Sequence, residues 1–259
     1  MSIDVPTTTA ALPGGGALPL LGFGTWQLSG ATATSSVVTA LEAGYRHLDT
    51  ATIYENEAEV GAGLRSSGVA RDEVFLTTKC PPDKAAHAPN VLEQSLQALG
   101  VDAVDLWLVH WAPADPVAMW EDFLEAQAGG LARDVGVSNF SLAQLDELEQ
   151  ATGVAPAVNQ CKWSPLLFDQ GFLDGHAERG VVLEGYSGLK GGTLEHPVVT
   201  GIAERLGRTP AQVINRWHVD HGVVTIPKSA TPERIRSNAD LGGVILSAHD
   251  LAALDALGG

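Results

Sequence analysis

The chain has 259 residues, with 15 Lys and Arg against 31 Asp and Glu, so its formal charge at pH 7 is −16. This balance argues against a nucleic-acid partner, because proteins that bind nucleic acids carry a basic surface that neutralises phosphates. With 45% apolar and 18% charged residues the chain can bury a large core. We expect one globular domain over residues 1–259.

The sequence predicts neither a membrane span nor an export signal. Residues 5–41 carry no charge, but three prolines and six glycines interrupt this stretch long before the ~20 apolar residues that a span needs. The N-terminus lacks a basic flank followed by an apolar segment. Cys80 and Cys161 are the only cysteines, which is typical of a reducing compartment and predicts a cytoplasmic protein.

Short β-branched runs alternate with longer helical patterns along the whole chain, as in a parallel α/β fold. Eight strands are predicted, at Leu20–Phe23, Tyr45–Asp49, Val74–Lys79, Val104–His110, Asp134–Ser138, Val158–Gln160, Val182–Tyr186 and Val224–Pro227. This spacing is about 32 residues for each unit, the size of a βα unit. It favours a closed (β/α)8 TIM barrel over a doubly wound sheet.

Turn and cap residues complete this prediction. The Pro13–Gly16 stretch predicts the tight turn of a small N-terminal hairpin that caps the barrel floor. Capping boxes at Ser141–Gln144 and Thr209–Gln212 each predict a helix start. The Thr231–Glu233 segment, with Pro232 at its centre, predicts another helix that opens in the same way.

Polar side chains stand where the predicted strands end, which is the face of a TIM barrel that carries the active site. They are Asp49, Lys79, His110, Ser138 with Asn139, Gln160, Tyr186 and Lys228. One such residue alone is more often a surface group than a catalyst, but an acid, a lysine and a histidine end three successive strands. Alternation along its strand points His110 into the barrel mouth.

Asp49 and Lys79 would lie on neighbouring strands, where an ion pair is plausible, and Tyr54 follows Asp49 by one loop turn. An ammonium ion beside a phenol lowers the pKa of that phenol. We therefore predict a lowered pKa for Tyr54 and a role as general acid.

Seven motifs in order, from about residue 15 to about residue 245, closely resemble the aldo-keto reductases, and the short prokaryotic diketogluconate reductases in particular. They are Gly22–Trp26, Arg46–Glu57, Thr78-Lys79, Leu108–Trp111, Gly136–Phe140, Asn159-Gln160 and Ile226–Ser229. The resemblance implies an NADPH-dependent reductase of aldehydes and ketones. By this resemblance, Tyr54 would protonate the carbonyl oxygen of the substrate and His110 would orient that carbonyl. Lys79, paired with Asp49, would lower the pKa of Tyr54.

The resemblance also assigns the remaining site residues. Substrate would contact Trp26, Tyr54, His110 and Trp111. The cofactor would contact Gly24, Thr25, Trp26, Asp49, Ser138, Asn139, Gln160, Tyr186, Ser187, Leu189, Lys228, Ser229, Arg234 and Asn238. Ser138, Asn139 and Gln160 would hold the carboxamide, and Tyr186 would stack on the nicotinamide ring.

Charge supports a phosphate site near residue 230. Residues 228–236 carry a local charge of +2 on an acidic chain, and a predicted helix start adds free N–H groups and the positive end of a helix dipole. Because the 2′-phosphate is the extra anion of NADP, this segment favours NADPH over NADH.

Two alternatives stay open: an NADPH-binding sensor or structural protein on the same fold, and a metal-dependent hydrolase, for which no ligand cluster is present and no metal is predicted.

Tyr186 and Lys190 match the Tyr-x-x-x-Lys of short-chain dehydrogenases, but the glycines around them oppose a helix. The family pattern is broken at Lys162, Ser164, Gly188 and Ser237, and we expect no long C-terminal tail over the substrate pocket. A monomer acting on a small carbonyl compound, without membrane or nucleic-acid partners, is expected.

Overall fold

An antiparallel hairpin closes one end of the molecule. In the computed structural model, which describes residues 3–258, this hairpin consists of β1 (Thr9–Ala11) and β2 (Ala17–Pro19). The backbone N–H groups of Gly14 and Gly16 in its turn donate to the buried carboxylate of Asp134, at 2.6 and 3.2 Å. Asp134 lies towards the amino end of a barrel strand, so the predicted hairpin at the floor is confirmed. Met1, Ser2 and Gly259, part of the predicted domain, lie outside the described residues.

Eight parallel strands follow the hairpin, each paired with its neighbours in chain order. They are β3 (Phe23–Gly24), β4 (His47–Asp49), β5 (Phe75–Cys80), β6 (Val104–Val109), β7 (Ala132–Ser138), β8 (Val158–Lys162), β9 (Val182–Tyr186) and β10 (Val224–Thr225). A parallel bridge between Leu21 and Thr225 joins the first strand to the last. The (β/α)8 prediction is confirmed.

The predicted and observed strand limits differ most where the barrel closes, between β3 and β10. The prediction for the first strand, residues 20–23, overlaps β3 by one residue, and β10 ends two residues before predicted Pro227. The pairing there comprises one bridge and a few backbone bonds, such as Gly22 N–H to Thr225 O at 2.8 Å. Strand β9 has the predicted limits, because β8 pairs with it from Val182 to Tyr186. Strand β10 pairs with Glu184 and Gly185 on the other side.

Ten helices are described within residues 3–258. They are α1 (Gly30–Glu42), α2 (Glu57–Ser67), α3 (Ala88–Leu99), α4 (Pro116–Ala128), α5 (Leu142–Thr152), α6 (Gln170–Glu178), α7 (Pro197–Leu206), α8 (Pro210–Asp220), α9 (Pro232–Ala239) and α10 (Ala248–Asp255). Their apolar faces pack on the outside of the barrel; Trp107 of β6, for example, stacks on Phe123 of α4 with ring centroids 3.5 Å apart. None of these helices could cross a membrane.

Helix starts test the cap predictions. The capping boxes Ser141–Gln144 and Thr209–Gln212 are both formed, at the starts of α5 and α8. Helix α9 begins at Pro232 as predicted, but the Thr231 side chain makes no cap hydrogen bond. Instead its backbone N–H donates to Ser229 Oγ at 3.0 Å. Ser247 and Asp250 form a capping box of α10 that sequence reasoning missed, because the box has Asp where Glu or Gln is usual.

Candidate active site

A cavity of about 340 Å³ opens at the carboxyl ends of the barrel strands. Most of the predicted site residues line it: Gly24, Trp26, Asp49, Tyr54, His110, Trp111, Ser138, Asn139, Gln160, Tyr186, Ser187, Leu189 and Lys228. Thr25 and Lys79 are fully buried beside or below them, and Thr25 Oγ1 donates to the backbone oxygen of Asp49 at 2.9 Å. The topology therefore brings residues from seven of the eight strands, or from the loops that follow them, to one opening.

Lys79 has no exposed surface and lies behind the cavity-lining residues Asp49 and Tyr54. Its Nζ donates to Asp49 Oδ1 at 2.7 Å and to the backbone oxygen of Thr50 at 2.8 Å. Burial by itself lowers the pKa of Lys79, but the negative charge of Asp49 and the nearby Tyr54 and Glu184 raise that pKa above its ordinary value. Lys79 is therefore a permanently charged group, and Asp49 balances its charge.

The hydroxyl of Tyr54 lies 3.5 Å from Lys79 Nζ, so the predicted proximity of phenol and ammonium is present. The predicted direction of the pKa shift is wrong for the cofactor-free protein. Burial raises the pKa of Tyr54, and Lys79 opposes this rise without overcoming it. Removal of the phenol from water disfavours the tyrosinate more strongly than a single ammonium ion, already paired with Asp49, favours it.

His110 lines the same cavity as Tyr54 and packs against its ring. Its ring stacks on Trp111 with centroids 4.0 Å apart and meets the Tyr54 ring edge-on at 5.9 Å. Burial, with Lys79 acting in the same direction, lowers the pKa of His110 to about 3. The imidazole is therefore neutral at pH 7, when one of its nitrogens is a donor and the other an acceptor.

Four polar side chains form a connected wall between β7 and β9. Asn139 Nδ2 donates to Ser138 Oγ at 3.0 Å, and Ser138 Oγ donates to the backbone oxygen of Gln160 at 2.7 Å. The Tyr186 hydroxyl donates to Asn139 Oδ1 at 2.8 Å. Gln160 Nε2 donates to Asp49 Oδ2 at 2.8 Å, which links this wall to the ion pair. These amide groups offer both donors and acceptors to a bound carboxamide.

Backbone strain is concentrated at the same opening. Four residues other than glycine have a positive φ within residues 3–258: Gln27, Glu55, Asn139 and Ser187. Three of them line the cavity, and the fourth follows Tyr54. Left-handed backbone at such residues costs free energy and tends to occur where function requires a fixed loop shape.

The predicted phosphate site lies at one end of the cavity. Lys228 is exposed on the rim, while Ser229 is buried and Arg234 is exposed on α9. Asn238 is buried in the last turn of α9, where its backbone oxygen accepts a hydrogen bond from Asn215 at 3.2 Å. Ser229, Arg234 and Asn238 do not line the cavity itself.

Sequence reasoning missed one cation of this site. The ammonium of Lys190 lies 3.9 Å from the centre of the Trp26 ring, so it spans the opening between the loops after β9 and β3. Lys228 is close enough to contribute to a lowered pKa of Lys190, although burial is the larger cause. A lysine among glycines on an acidic chain was the available signal, but its spacing from Tyr186 matches only a dehydrogenase motif.

The break in the family pattern at Gly188 has a structural cause. A Cβ atom at Gly188 would lie 2.8 Å from Cε1 of His218, and one at Gly185 would lie 3.0 Å from the same ring. His218 is fully buried on α8 and packs against the β9 loop at these two glycines. Lys162 is exposed, Ser164 is buried and Ser237 is half-buried on α9; nothing in the structure explains these three.

Comparison with known proteins decides the family. A sequence profile described as the aldo/keto reductase family matches residues 20–258. The chain belongs to this family. This aldo/keto reductase is therefore an oxidoreductase that acts on carbonyl groups, and members of its family generally use NAD(P)H.

Its relatives match over nearly their whole length. An aldo-keto reductase from Mycolicibacterium smegmatis is 42% identical, with 94% of this chain and 90% of the relative covered. The methylglyoxal reductase DkgA of Yersinia pestis is 40% identical, with 93% and 89% covered. The crystal structure of an aldo/keto reductase from Brucella melitensis superposes with a TM-score of 0.89 at 40% identity, covering 98% of this chain and all of that one.

The residues present fit a nicotinamide dinucleotide. The cavity is lined by the Ser138, Asn139 and Gln160 donors and acceptors and by the Tyr186 ring, and its rim carries Lys190 and Lys228. In contrast, residues 3–258 contain no group of three or more His, Cys, Asp or Glu side chains that could hold a metal ion. Cys80 and Cys161 are buried free thiols.

Proposed function

We propose that this enzyme reduces aldehydes and ketones to alcohols with NADPH, and that Tyr54 donates the proton. One observation carries the proposal. The buried ammonium of Lys79 lies 2.7 Å from Asp49 Oδ1 and 3.5 Å from the Tyr54 hydroxyl, and Asp49 and Tyr54 line the same cavity as His110. A phenol held against a fixed positive charge is suited to release a proton as negative charge develops on a substrate oxygen.

Each residue then has a separate task. The neutral His110 ring orients the substrate carbonyl by hydrogen bonding to its oxygen, and Tyr54 transfers its proton to that oxygen. Lys79 stabilises the negative charge left on the Tyr54 oxygen, while Asp49 and the Thr50 carbonyl keep the ammonium in place. The bound cofactor supplies a hydride from C4 of its nicotinamide.

Two groups of contacts support the cofactor assignment. Ser138, Asn139 and Gln160 would hold the carboxamide and Tyr186 would stack on the ring, since all four line the cavity. Lys190, Lys228 and Arg234 would attract the phosphates on a chain whose formal charge is −16. Lys228 and Arg234, which are near the start of α9 in the chain, support NADPH over NADH.

The substrate is a small aldehyde or ketone. Relatives from Yersinia pestis and Escherichia coli are named methylglyoxal reductases, so methylglyoxal is the first compound to test. Trp26, Ile53 and Trp111 line the mouth of the cavity with between 41% and 45% of their surface exposed. An open apolar mouth of this kind supports broad specificity, because few polar groups select the substrate.

The test is a spectroscopic assay. NADPH absorbance is followed with methylglyoxal and a panel of aldehydes and ketones, and each reaction is repeated with NADH. We expect turnover with several carbonyl compounds and a higher kcat/KM for NADPH than for NADH. Tight NADPH binding without turnover on the whole panel would instead support the sensor or structural protein.

Tyr54→Phe tests the proton donor. This variant removes one hydroxyl and leaves the ring contacts with His110, so we expect kcat to fall about 10²- to 10⁴-fold while NADPH still binds. Tyr45→Phe is the matched control, because the Tyr45 hydroxyl donates to the backbone of Ile235, away from the cavity. Near-normal turnover by the Tyr54 variant would refute its assigned role.

The cytoplasmic location, the monomeric state and the absence of a nucleic-acid partner stay predictions from the sequence.

A further inference from the structure

Glu184 is a buried carboxyl group for which the proposed reaction has no use. It is the third residue of β9, in register with Gln160 on β8 and Val224 on β10, and it has no exposed surface. Within the described part of the chain neither of its carboxyl oxygens has a hydrogen-bond partner. An ionised carboxylate without hydrogen bonds in a protein interior carries a large desolvation cost, so this group needs an explanation.

The surroundings of Glu184 contain too few positive charges for two carboxylates. Its neighbour Gln160 donates to Asp49 Oδ2, and Asp49 Oδ1 accepts from Lys79. The charged or titratable groups that face Glu184 are Asp49, Lys79 and Tyr54. Lys79 already balances Asp49, so an ionised Glu184 would leave one negative charge uncompensated inside the barrel.

We propose that Glu184 is a positioning residue, held as a neutral carboxylic acid in the barrel interior near Asp49, Lys79 and Tyr54, whose ionisation at alkaline pH weakens Tyr54 as a proton donor. The part that concerns Tyr54 rests on the proposed function. The part that concerns the neutral acid rests on burial, missing hydrogen bonds and the adjacent carboxylate alone.

The electrostatic directions agree with this assignment. Burial and the charge of Asp49 together raise the pKa of Glu184 to about 8, and the charge of Lys79 opposes this rise. In turn Glu184 is one of the groups that raise the pKa of Tyr54 and of Lys79. Loss of the Glu184 proton therefore makes Tyr54 a weaker acid in the pH range where the reductase could be assayed.

Infrared difference spectroscopy tests the neutral acid without cofactor or substrate. Spectra of the wild type and of Glu184→Gln are recorded from pH 6 to pH 10, and the carbonyl stretch of a protonated carboxyl is followed. We expect a band at pH 6 that is absent from Glu184→Gln and that disappears with a midpoint near pH 8. A wild-type spectrum with no such band at pH 6 would overturn the proposal, whether or not the protein is a reductase.

Single-turnover hydride transfer tests the effect on Tyr54. For each protein the rate at pH 6.5 is divided by the rate at pH 9. Differences between the proteins in the fraction of active enzyme, or in a rate factor that does not depend on pH, cancel in this ratio. A change of one pKa unit in the proton donor corresponds to about tenfold, and we expect the ratio to be about tenfold smaller in Glu184→Gln than in the wild type. Glu184→Leu, which also cannot ionise, should give the same small ratio.

Asp134→Asn is the matched control, because Asp134 is a buried carboxyl at the barrel floor that binds Gly14 and Gly16. Its ratio should equal that of the wild type. An unchanged ratio in both Glu184 variants would refute the role of Glu184 while leaving the reductase assignment intact. Absence of turnover by the wild type would refute the reductase assignment, and the infrared experiment would still decide the protonation state.

Discussion

Lys79 is the residue on which the electrostatics of the site depend. It is fully buried, and its ammonium donates to Asp49 and to a backbone carbonyl and approaches Tyr54. Such a charge is tolerated in a protein interior only with this degree of compensation. The contacts that compensate the buried charge of Lys79 also hold its ammonium beside the Tyr54 oxygen, where a tyrosinate would form. The ion pair with Asp49 therefore contributes both to stability and to the proposed chemistry.

Lys79→Met separates these two contributions. Removal of the lysine leaves Asp49 as an unpaired buried charge, and we expect the free energy of unfolding to fall by about 3–5 kcal/mol and turnover to be lost. In the double variant Lys79→Met with Asp49→Asn, no charge is left unpaired, so urea unfolding should show most of the stability restored. Turnover should stay absent in the double variant. Equal instability of both variants would contradict the view that an uncompensated charge is the cause.

At the scale of elements, the site is built from strand ends and the loops that follow them. Asn139 and Ser187 adopt positive φ directly after β7 and β9, which turns each loop across the cavity. Helix α8 supports the second of these loops through His218, which packs against Gly185 and Gly188. The position of Tyr186 and Ser187, which we propose as cofactor-binding residues, therefore depends on a helix outside the barrel.

Gly188→Ala tests this support. The new Cβ would lie 2.8 Å from Cε1 of His218, and overpacking of this kind costs about 1–3 kcal/mol. We expect lower stability and weaker NADPH binding, measured by urea unfolding and by fluorescence titration.

Gly201→Ala in α7 is the matched control, because nothing lies within 4 Å of a Cβ there. Alanine is the better helix former, so this variant should be more stable by about 0.5–1 kcal/mol and should bind NADPH normally. Unchanged NADPH binding by Gly188→Ala would show that the loop does not depend on its contact with α8.

At the scale of the whole molecule, four buried histidines link folding to pH, and burial lowers the pKa of one of them, His176, below its ordinary value. Burial lowers the pKa of His47 and of His110 to about 3 and that of His218 to about 4. In the unfolded chain these groups take up a proton near their ordinary pKa of about 6.5. The unfolded state therefore binds more protons than the native state between these values, and stability is lost as the pH falls from 6.5 towards 4.

The variant His218→Gln measures how much of this acid-induced loss of stability is due to His218. Between pH 7 and pH 5 we expect the variant to lose roughly 1–2 kcal/mol less unfolding free energy than the wild type, because it has one fewer buried base to protonate on unfolding. Urea unfolding at the two pH values gives the comparison, with His249→Gln on the exposed face of α10 as the control. An identical pH dependence in the wild type and in His218→Gln would contradict the assignment.

Local information in the sequence was sufficient for the barrel and for the polar side chains that end its strands. Eight apolar runs at regular spacing predict eight parallel strands, and the rule that parallel strands end at one face places Asp49, Lys79 and His110 together. The capping boxes at Ser141 and Thr209 are likewise decided within four residues. These features depend on side-chain period and near neighbours, which a sequence displays directly.

Only the tertiary structure decided the balance of charge inside the barrel. The pKa of Tyr54 is raised where the sequence predicted a fall, because burial depends on every element that covers the phenol. Glu184 and Lys190 were missed because the groups around them are distant in sequence. The Asp49 and Gln160 side chains near Glu184, for example, are 111 positions apart in the chain. The periodicity of apolar residues in a sequence specifies which way a side chain points. The desolvation of a buried charge, and its compensation by other charges, depend on the groups that the folded chain places around it.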